Sequence, residues 1–458
     1  MPDLHVVILA AGKGTRMKSM RPKVLHQVAG RPMIDYVMRS AQSLDPRTTT
    51  VVVGHMKEAL QQGLGHARDL AFVAQEPQLG TGHALLQTAP VLEGLRGFVL
   101  LLSGDVPLLK RHTLARLVKK HEESSVAATL LTAFVEQPYG YGRIVRVKGR
   151  VSRIVEERDA SPLQRKIKEI NSGVYVFSLA PLFEALRGLA TANAQGEYYL
   201  TDLISTLRRR KLGVETVVLD DPNEIRGINS RSELAEASRI VRQKKNEELM
   251  AAGVTIEDPA TTFVDEDVVV GADTVIHPGV YLEGKTQIGQ ACEIHSGVRI
   301  VNSVLSDRVT VQNYCVITGA KLAAGVTIGP FAHVRPDTEL LDDVHIGNFV
   351  ELKKSIVGRG SKAGHLSYIG DAIIGENVNV GAGTITCNYD GKTKNQVTIE
   401  DGVFIGSDSQ LVAPVTVGKA AYIGSGTTVR EDVPAGSLAV SAGKQRNIEG
   451  WAEKKRAK

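Results

Sequence analysis

Residues 263–300 read FVDEDVVVGADTVIHPGVYLEGKTQIGQACEIHSGVRI, and Val264, Val270, Ile276, Leu282, Ile288, Ile294 and Ile300 stand six apart. A second phase runs through Val316, Leu322, Ile328, Val334, Leu340, Ile346 and Leu352, and a third through Ile399, Ile405, Leu411, Val417, Ile423 and Val429. A period of six fits neither a helix at 3.6 nor a strand at two. It matches the hexapeptide repeat of a parallel β-helix, in which each unit is a short strand and a turn with its aliphatic residue pointing inward. With three faces per coil, about 18 residues close one turn and the stretch supplies roughly ten coils. Residues 387–396 interrupt the phase, and an insertion in a solenoid maps to a loop on one face, commonly the binding face.

Upstream, residues 230–252 read as one connecting helix. Ser230 and Glu233 form a capping box at its start, and Gly253 follows its end. Earlier still, apolar runs at 5–9, 49–53 and 98–102 alternate with helical stretches such as 33–44. That alternation predicts an α/β, doubly wound, mainly parallel sheet, whose ligands gather outside the carboxyl ends of the strands. The expected organisation is an α/β domain over 1–229, a helical linker over 230–253 and a hexapeptide-repeat domain with a C-terminal tail over 254–458. Of the 45 glycines, 24 fall within 254–443, in keeping with a change of architecture.

The 458 residues are 43% apolar and 23% charged, which is ordinary globular composition. A net charge of +5 is small for this length and does not indicate nucleic acid. Cys292, Cys315 and Cys387 show no C-x-x-C spacing, so neither a disulfide framework nor a zinc site is expected and a reducing cytoplasm fits. The N-terminus lacks a signal-peptide pattern, and no run approaches the ~20 apolar residues of a membrane span. The run Lys454-Lys455-Arg456-Ala457-Lys458 reads as a solvated tail.

The stretch Leu9-Ala10-Ala11-Gly12-Lys13-Gly14-Thr15-Arg16-Met17 follows a strand and is rich in glycine and cations. Alone, it fits a tight turn as well as a phosphate cradle, and it lacks the G-K-[ST] ending of a P-loop. Extended through Pro22-Lys23 to Gly30-Arg31-Pro32-Met33, it resembles the signature of sugar-1-phosphate nucleotidyltransferases. That resemblance covers the first 229 residues. It implies a Rossmann-like domain in which a sugar phosphate attacks the α-phosphate of a nucleoside triphosphate, releasing pyrophosphate. It makes Arg16 and Lys23 catalytic cations, and gives Asp105 and Asn229 a shared Mg²⁺. It also implies nucleotide-sugar contacts at Leu9, Ala10, Ala11, Gly12, Lys23, Gln75, Gly80, Thr81, Ser103, Gly104, Asp105, Gly142, Glu156, Asn171 and Asn229. Gln75, Gly80 and Thr81 correspond to the uracil-reading loop. Ser103 departs from the tyrosine that this family often carries.

Polar chemistry in the repeat half concentrates in Asn348-Phe-Val-Glu351-Leu-Lys353-Lys354 and Gly364-His365-Leu-Ser-Tyr368-Ile-Gly-Asp371. His365 lies between Lys362 and Tyr368 in a polar run, an improbable setting for a satisfied core histidine. With Asn377-Val-Asn379-Val-Gly-Ala382-Gly-Thr-Ile-Thr-Cys-Asn388-Tyr389-Asp-Gly391, the segment resembles the acetyltransferase half of a bacterial bifunctional family. Its members are N-acetylglucosamine-1-phosphate uridylyltransferases and glucosamine-1-phosphate N-acetyltransferases. The resemblance runs through both halves in order. It implies a left-handed β-helix, His365 as general base on the amine of glucosamine 1-phosphate, and direct attack of that amine on acetyl-CoA. Arg335, Lys353, Tyr368 and Asn379 would hold the sugar phosphate. Ala382, Asn388, Tyr389, Ser407, Ser425 and Ala442 would contact acetyl-CoA. Ala442 aligns with a family arginine, for which Lys444 or Arg446 can substitute. Glu351 either orients the imidazole or is a surface carboxylate, and a nucleophilic Cys387 is disfavoured because direct transfer needs none.

The expected protein is thus a cytoplasmic homotrimer that uses UTP, acetyl-CoA and Mg²⁺ and binds neither nucleic acid nor membrane. It acetylates glucosamine 1-phosphate and then uridylylates N-acetylglucosamine 1-phosphate. The alternatives are a monofunctional nucleotidyltransferase with a structural or regulatory β-helix, and a noncatalytic trimeric scaffold.

Overall fold

The computed structural model describes residues 3–12, 14–54, 56–65, 70–441, 443, 445 and 447–456. Two compact units divide the chain, Met1–Val241 and Arg242–Lys458. The division falls inside the helix Arg231–Ala251. Ala237 and Val241 pack with Val28, Met33 and Ile228, whereas Leu249 belongs to the core of the second unit. The expected capping box is formed: the Glu233 amide donates to Ser230 Oγ at 3.3 Å, and the Ser230 amide donates to the Glu233 carboxylate at 2.8 Å.

The first unit is built on one sheet with strand order Val214–Val218, Ala128–Phe134, Glu169–Ser178, Phe98–Ser103, Leu4–Leu9, Thr48–Val53 and Leu70–Ala74. Glu169–Ser178 runs antiparallel to both of its long neighbours, and the other pairings along this path are parallel. The hairpin Arg143–Val147 and Arg150–Val155 joins through Ile170. Successive side chains of Leu4–Leu9 alternate between two cores. Val7 packs with Val99 and Leu101, while Val6 and Ile8 pack with Leu100 and Leu102. Both faces are therefore covered by helices, as a doubly wound sheet requires.

The second unit consists of three parallel sheets of eleven, ten and nine short strands, each strand pairing with the third one onward except at the C-terminal end, where Tyr422–Ile423 pairs with Leu438–Ala439. Ile276 pairs with Ile294 and Leu282 with Ile300, which gives the expected step of eighteen. The aliphatic residues line one continuous core, consistent with a left-handed β-helix of hexapeptide repeats.

One expected position shifts. Ile317 pairs with Ile300 and is fully buried, whereas Val316 is only half-buried. The inward residues of the third sheet, Ile288, Leu305 and Leu322, are seventeen apart, so one rung per coil is a residue short and the six-fold phase slips there. On the strand Ile385–Cys387, Ile385 is exposed and Thr386 points inward. The interruption at 387–396 lengthens one coil to twenty-five residues, Ile374 pairing with Ile399, without disturbing the sheets on either side. Among the described residues, no helix is long and apolar enough to cross a membrane.

Candidate functional sites

In the first unit the strands Leu4–Leu9 and Phe98–Ser103 lie side by side and end together, Leu9 paired with Ser103. The loops that leave them bound a cleft of about 440 Å³ lined by Leu9, Ala10, Ala11, Gly12, Lys23, Gln75, Gly80, Thr81, Ser103 and Asp105. Ten predicted positions thus meet at the carboxyl edge of the sheet. Gly104 lies below them, its amide donating to the Leu9 carbonyl at 2.9 Å. Gln75 is buried, and its Nε2 donates to the Gly80 carbonyl at 2.9 Å, which fixes the side-chain amide. Gly80 adopts φ 106, and a Cβ there would meet the Tyr198 carbonyl at 2.8 Å, so a side chain is excluded.

An ion pair stands in this cleft. The Lys23 ammonium pairs with the Asp105 carboxylate and donates to Asn229 Oδ1 at 3.0 Å. Ser103 Oγ donates to the other Asp105 oxygen at 2.7 Å. Arg16 is exposed on the turn Thr15–Met17 and does not line the cleft. Gly142, Glu156 and Asn171 form a group of their own. A Cβ on Gly142 would lie 3.5 Å from a Glu156 carboxylate oxygen and 3.6 Å from Asn171 Cβ. Burial pushes the Glu156 carboxyl up, against the lowering effect of its hydrogen bond from Thr201.

In the second unit, period does what loops do in the first. Asn348, His365, Ala382, Ser407 and Ser425 each follow a glycine that follows an inward residue, so they recur at the same corner of five successive coils. His365 is exposed, and its Nδ1 lies 2.8 Å from Asn348 Oδ1. An amide oxygen only accepts, so Nδ1 carries the proton and Nε2 keeps its lone pair. Glu351 does not contact the imidazole; it pairs with the Arg335 guanidinium at 2.8 Å.

A neighbouring sheet presents the cations. Lys353 is in register with Gly370, and its ammonium lies 3.6 Å from Asp371. Asp371 also accepts from Asn388, which is buried. Over Gly370, the Tyr368 hydroxyl and Asn388 Nδ2 approach so closely that a Cβ would meet them at 2.5 and 2.9 Å. The inserted residues fold as a turn closed by the Tyr389–Lys394 bridge, with Asp390 accepting from the amides of Lys392 and Thr393. Contact with the Lys353 ammonium and the repulsion between the two like charges hold Lys394 below the ordinary lysine range. Asn379 sits on an adjacent strand in register with Lys362. Ala442, Lys444 and Arg446 lie outside the described residues. Cys387 is half-buried, while burial raises the Cys315 thiol to about 11.

The MobA-like NTP transferase domain family matches residues 6–203. The GMPPB C-terminal domain matches 263–340, and the bacterial transferase hexapeptide family, six repeats, matches 396–431. Over 452 residues the chain is 50% identical to the bifunctional protein GlmU of Pelobacter propionicus, covering 98% of each. It is 51% identical over 451 residues to that of Trichlorobacter lovleyi, again covering 98% of each. The corresponding protein of Geobacter metallireducens is 48% identical over 474 residues, with both chains wholly covered. The chain belongs to the bifunctional GlmU family. As a GlmU-family member it is a bifunctional transferase with a nucleotidyltransferase domain and a hexapeptide-repeat acetyltransferase domain.

A nucleotidyltransferase of the GlmU kind implies a divalent metal, and the donors fit one. The Lys23 ammonium already stands as a cation between a carboxylate and an amide oxygen. Asp105 and Asn229 would leave the remaining positions of a hard ion to phosphate oxygens and water. Sequence reasoning missed four participants in these GlmU sites. Gln78 lines the cleft and donates to the Ala11 carbonyl at 2.6 Å, and Glu197 lines it from a distant loop. Asn348, not Glu351, hydrogen-bonds the His365 imidazole, and Lys394 joins the cations from the inserted turn. Asn348 was findable, because it shares the position of His365 one coil earlier. Glu197 carried no local signal.

Proposed function

We propose that the chain makes UDP-N-acetylglucosamine in two steps at two separate sites. At the solenoid, His365 Nε2 takes a proton from the amine of glucosamine 1-phosphate, and the amine nitrogen attacks the acetyl-CoA thioester carbonyl. The C–S bond breaks, and the coenzyme leaves as a thiol with the proton returned to it. Arg335 and Lys353 bind the sugar phosphate, joined by Lys394, while Tyr368 and Asn379 hydrogen-bond the sugar. Ala382, Asn388, Tyr389, Ser407 and Ser425 hold acetyl-CoA, with Ala442 at the family's arginine position.

In the cleft, N-acetylglucosamine 1-phosphate attacks the α-phosphate of UTP and pyrophosphate leaves. Lys23 and Arg16 offset the developing negative charge. Asp105 and Asn229 would hold Mg²⁺, whose charge would screen the triphosphate. Gln75, Gly80 and Thr81 read the uracil, and Gly142, Glu156 and Asn171 contact the sugar. The working form is a cytoplasmic homotrimer.

One observation carries this reading most: the proton on Nδ1 of His365 is placed by Asn348, leaving Nε2 as a base beside the column that continues through Ala382 and Ser407. Mass spectrometry of a mixture of protein, glucosamine 1-phosphate, acetyl-CoA, UTP and Mg²⁺ tests it, with UDP-N-acetylglucosamine expected. Pyrophosphate release from UTP and N-acetylglucosamine 1-phosphate, without CoA release from glucosamine 1-phosphate, would reduce the chain to a monofunctional nucleotidyltransferase.

A further inference from the structure

A polar column unused by either reaction runs along one sheet near the start of the solenoid. Glu257, His277 and His295 each follow an inward isoleucine, and those three isoleucines are paired coil to coil. The pairing stacks the three polar residues about 4.8 Å apart. The His277 and His295 rings lie face to face at 4.6 Å with planes 9° apart. Glu293, two residues before His295, shares its face.

Glu293 Oε1 lies 3.4 Å from Nε2 of His277 and 3.4 Å from Nε2 of His295. These separations are long for charge-assisted hydrogen bonds. They match the edge of a tetrahedral zinc site, which is about 3.4 Å when bonds to nitrogen and oxygen are about 2.0–2.1 Å. All three ligand atoms lie within 4.8 Å of one another.

Glu257 supplies the second observation. Its Oε2 lies 2.9 Å from His277 Nδ1. A carboxylate at that nitrogen holds the proton on Nδ1 and leaves the Nε2 lone pair available on the side of Glu293. Metal-bound histidines carry this outer partner routinely.

We propose that His277, Glu293 and His295 bind one divalent transition ion of the zinc class, with Glu257 orienting His277 and water in the fourth position. Two imidazoles and a carboxylate suit Zn²⁺, Co²⁺ or Ni²⁺ and not Mg²⁺, so this ion is distinct from the one at Asp105. Its ligands come from two adjacent coils and its outer partner from a third, so it clips the opening coils together.

The test uses the full-length chain, stripped with a chelator and titrated with Zn²⁺ against a chromophoric competitor. The expected result is one tight Zn²⁺ per chain, lost in His277→Gln/His295→Gln and weakened about 10- to 100-fold in Glu257→Gln. Co²⁺ loading should give four-coordinate visible bands that vanish in the double variant. Both transferase activities, assayed on the same samples, report folding. Glu293→Gln provides an independent variant should the histidine pair be needed for folding. Equal Zn²⁺ affinity in wild type and variants would overturn the proposal, as would wild-type binding weaker than about 1 mM.

Discussion

The nucleotide cleft and the solenoid column solve the same problem by opposite routes. In the cleft, Leu9, Lys23, Gln75, Ser103, Asp105 and Asn229 are scattered over more than two hundred positions, and strand order brings them together. In the solenoid, Asn348, His365, Ala382, Ser407 and Ser425 occupy one position repeated, and the period brings them together. The first arrangement depends on which strands are neighbours. The second depends only on phase, so it tolerates a seven-residue lengthening of one coil provided the phase resumes.

The largest test of that contrast is separation of the two reactions. His365→Ala should lower acetyl transfer by about 10²- to 10⁴-fold and leave uridylyl transfer unchanged. Asp105→Ala should do the reverse, and loss of both activities in one soluble variant would break the distinction. Phase itself is tested next. Ile317→Ala should destabilise the solenoid by about 2–5 kcal/mol in denaturant unfolding. Val316→Ala should cost under about 1 kcal/mol; equal costs would mean the slip is wrongly placed.

A smaller effect is expected at the orienting residue. Asn348→Ala should reduce kcat for acetyl transfer about 10- to 100-fold with KM for glucosamine 1-phosphate nearly constant, because the base is present but misplaced. The smallest concerns pH. Lys394 sits below the ordinary lysine range, so it loses its proton earlier than other lysines as pH rises. KM for glucosamine 1-phosphate should therefore climb a few-fold on the alkaline side. Lys394→Arg, whose charge does not titrate, should flatten that climb.

Much of this was legible before any coordinates. The six-fold recurrence of aliphatic residues reports a single inward column per face, and the glycine-rich run after residues 5–9 reports a strand ending at a ligand edge. The one-residue slips were not legible. Val316 and Ile317 are both aliphatic, and only burial distinguishes which one enters the core. Arg16 stands apart for a related reason, since sequence marks its chemistry but not where an exposed side chain points. Of the two readings left open for Glu351, the structure does not bring it to the imidazole; it pairs with Arg335 instead. In a solenoid, proximity runs across coils, so the residue seventeen positions earlier is the neighbour.

The proposed donor column behaves as a measuring rod graduated in coils. Each graduation is one strand spacing, about 4.8 Å, so the rod from His365 to Ser425 is three graduations, roughly 14 Å long. On the proposed reading, a thioester carried at the tip of an elongated cofactor would be gauged by that rod. Splicing one extra coil between Ala382 and Ser407 would displace the far grip by one graduation while leaving the imidazole where it is. Donor length is thereby an adjustable property of this architecture, changed in whole coils.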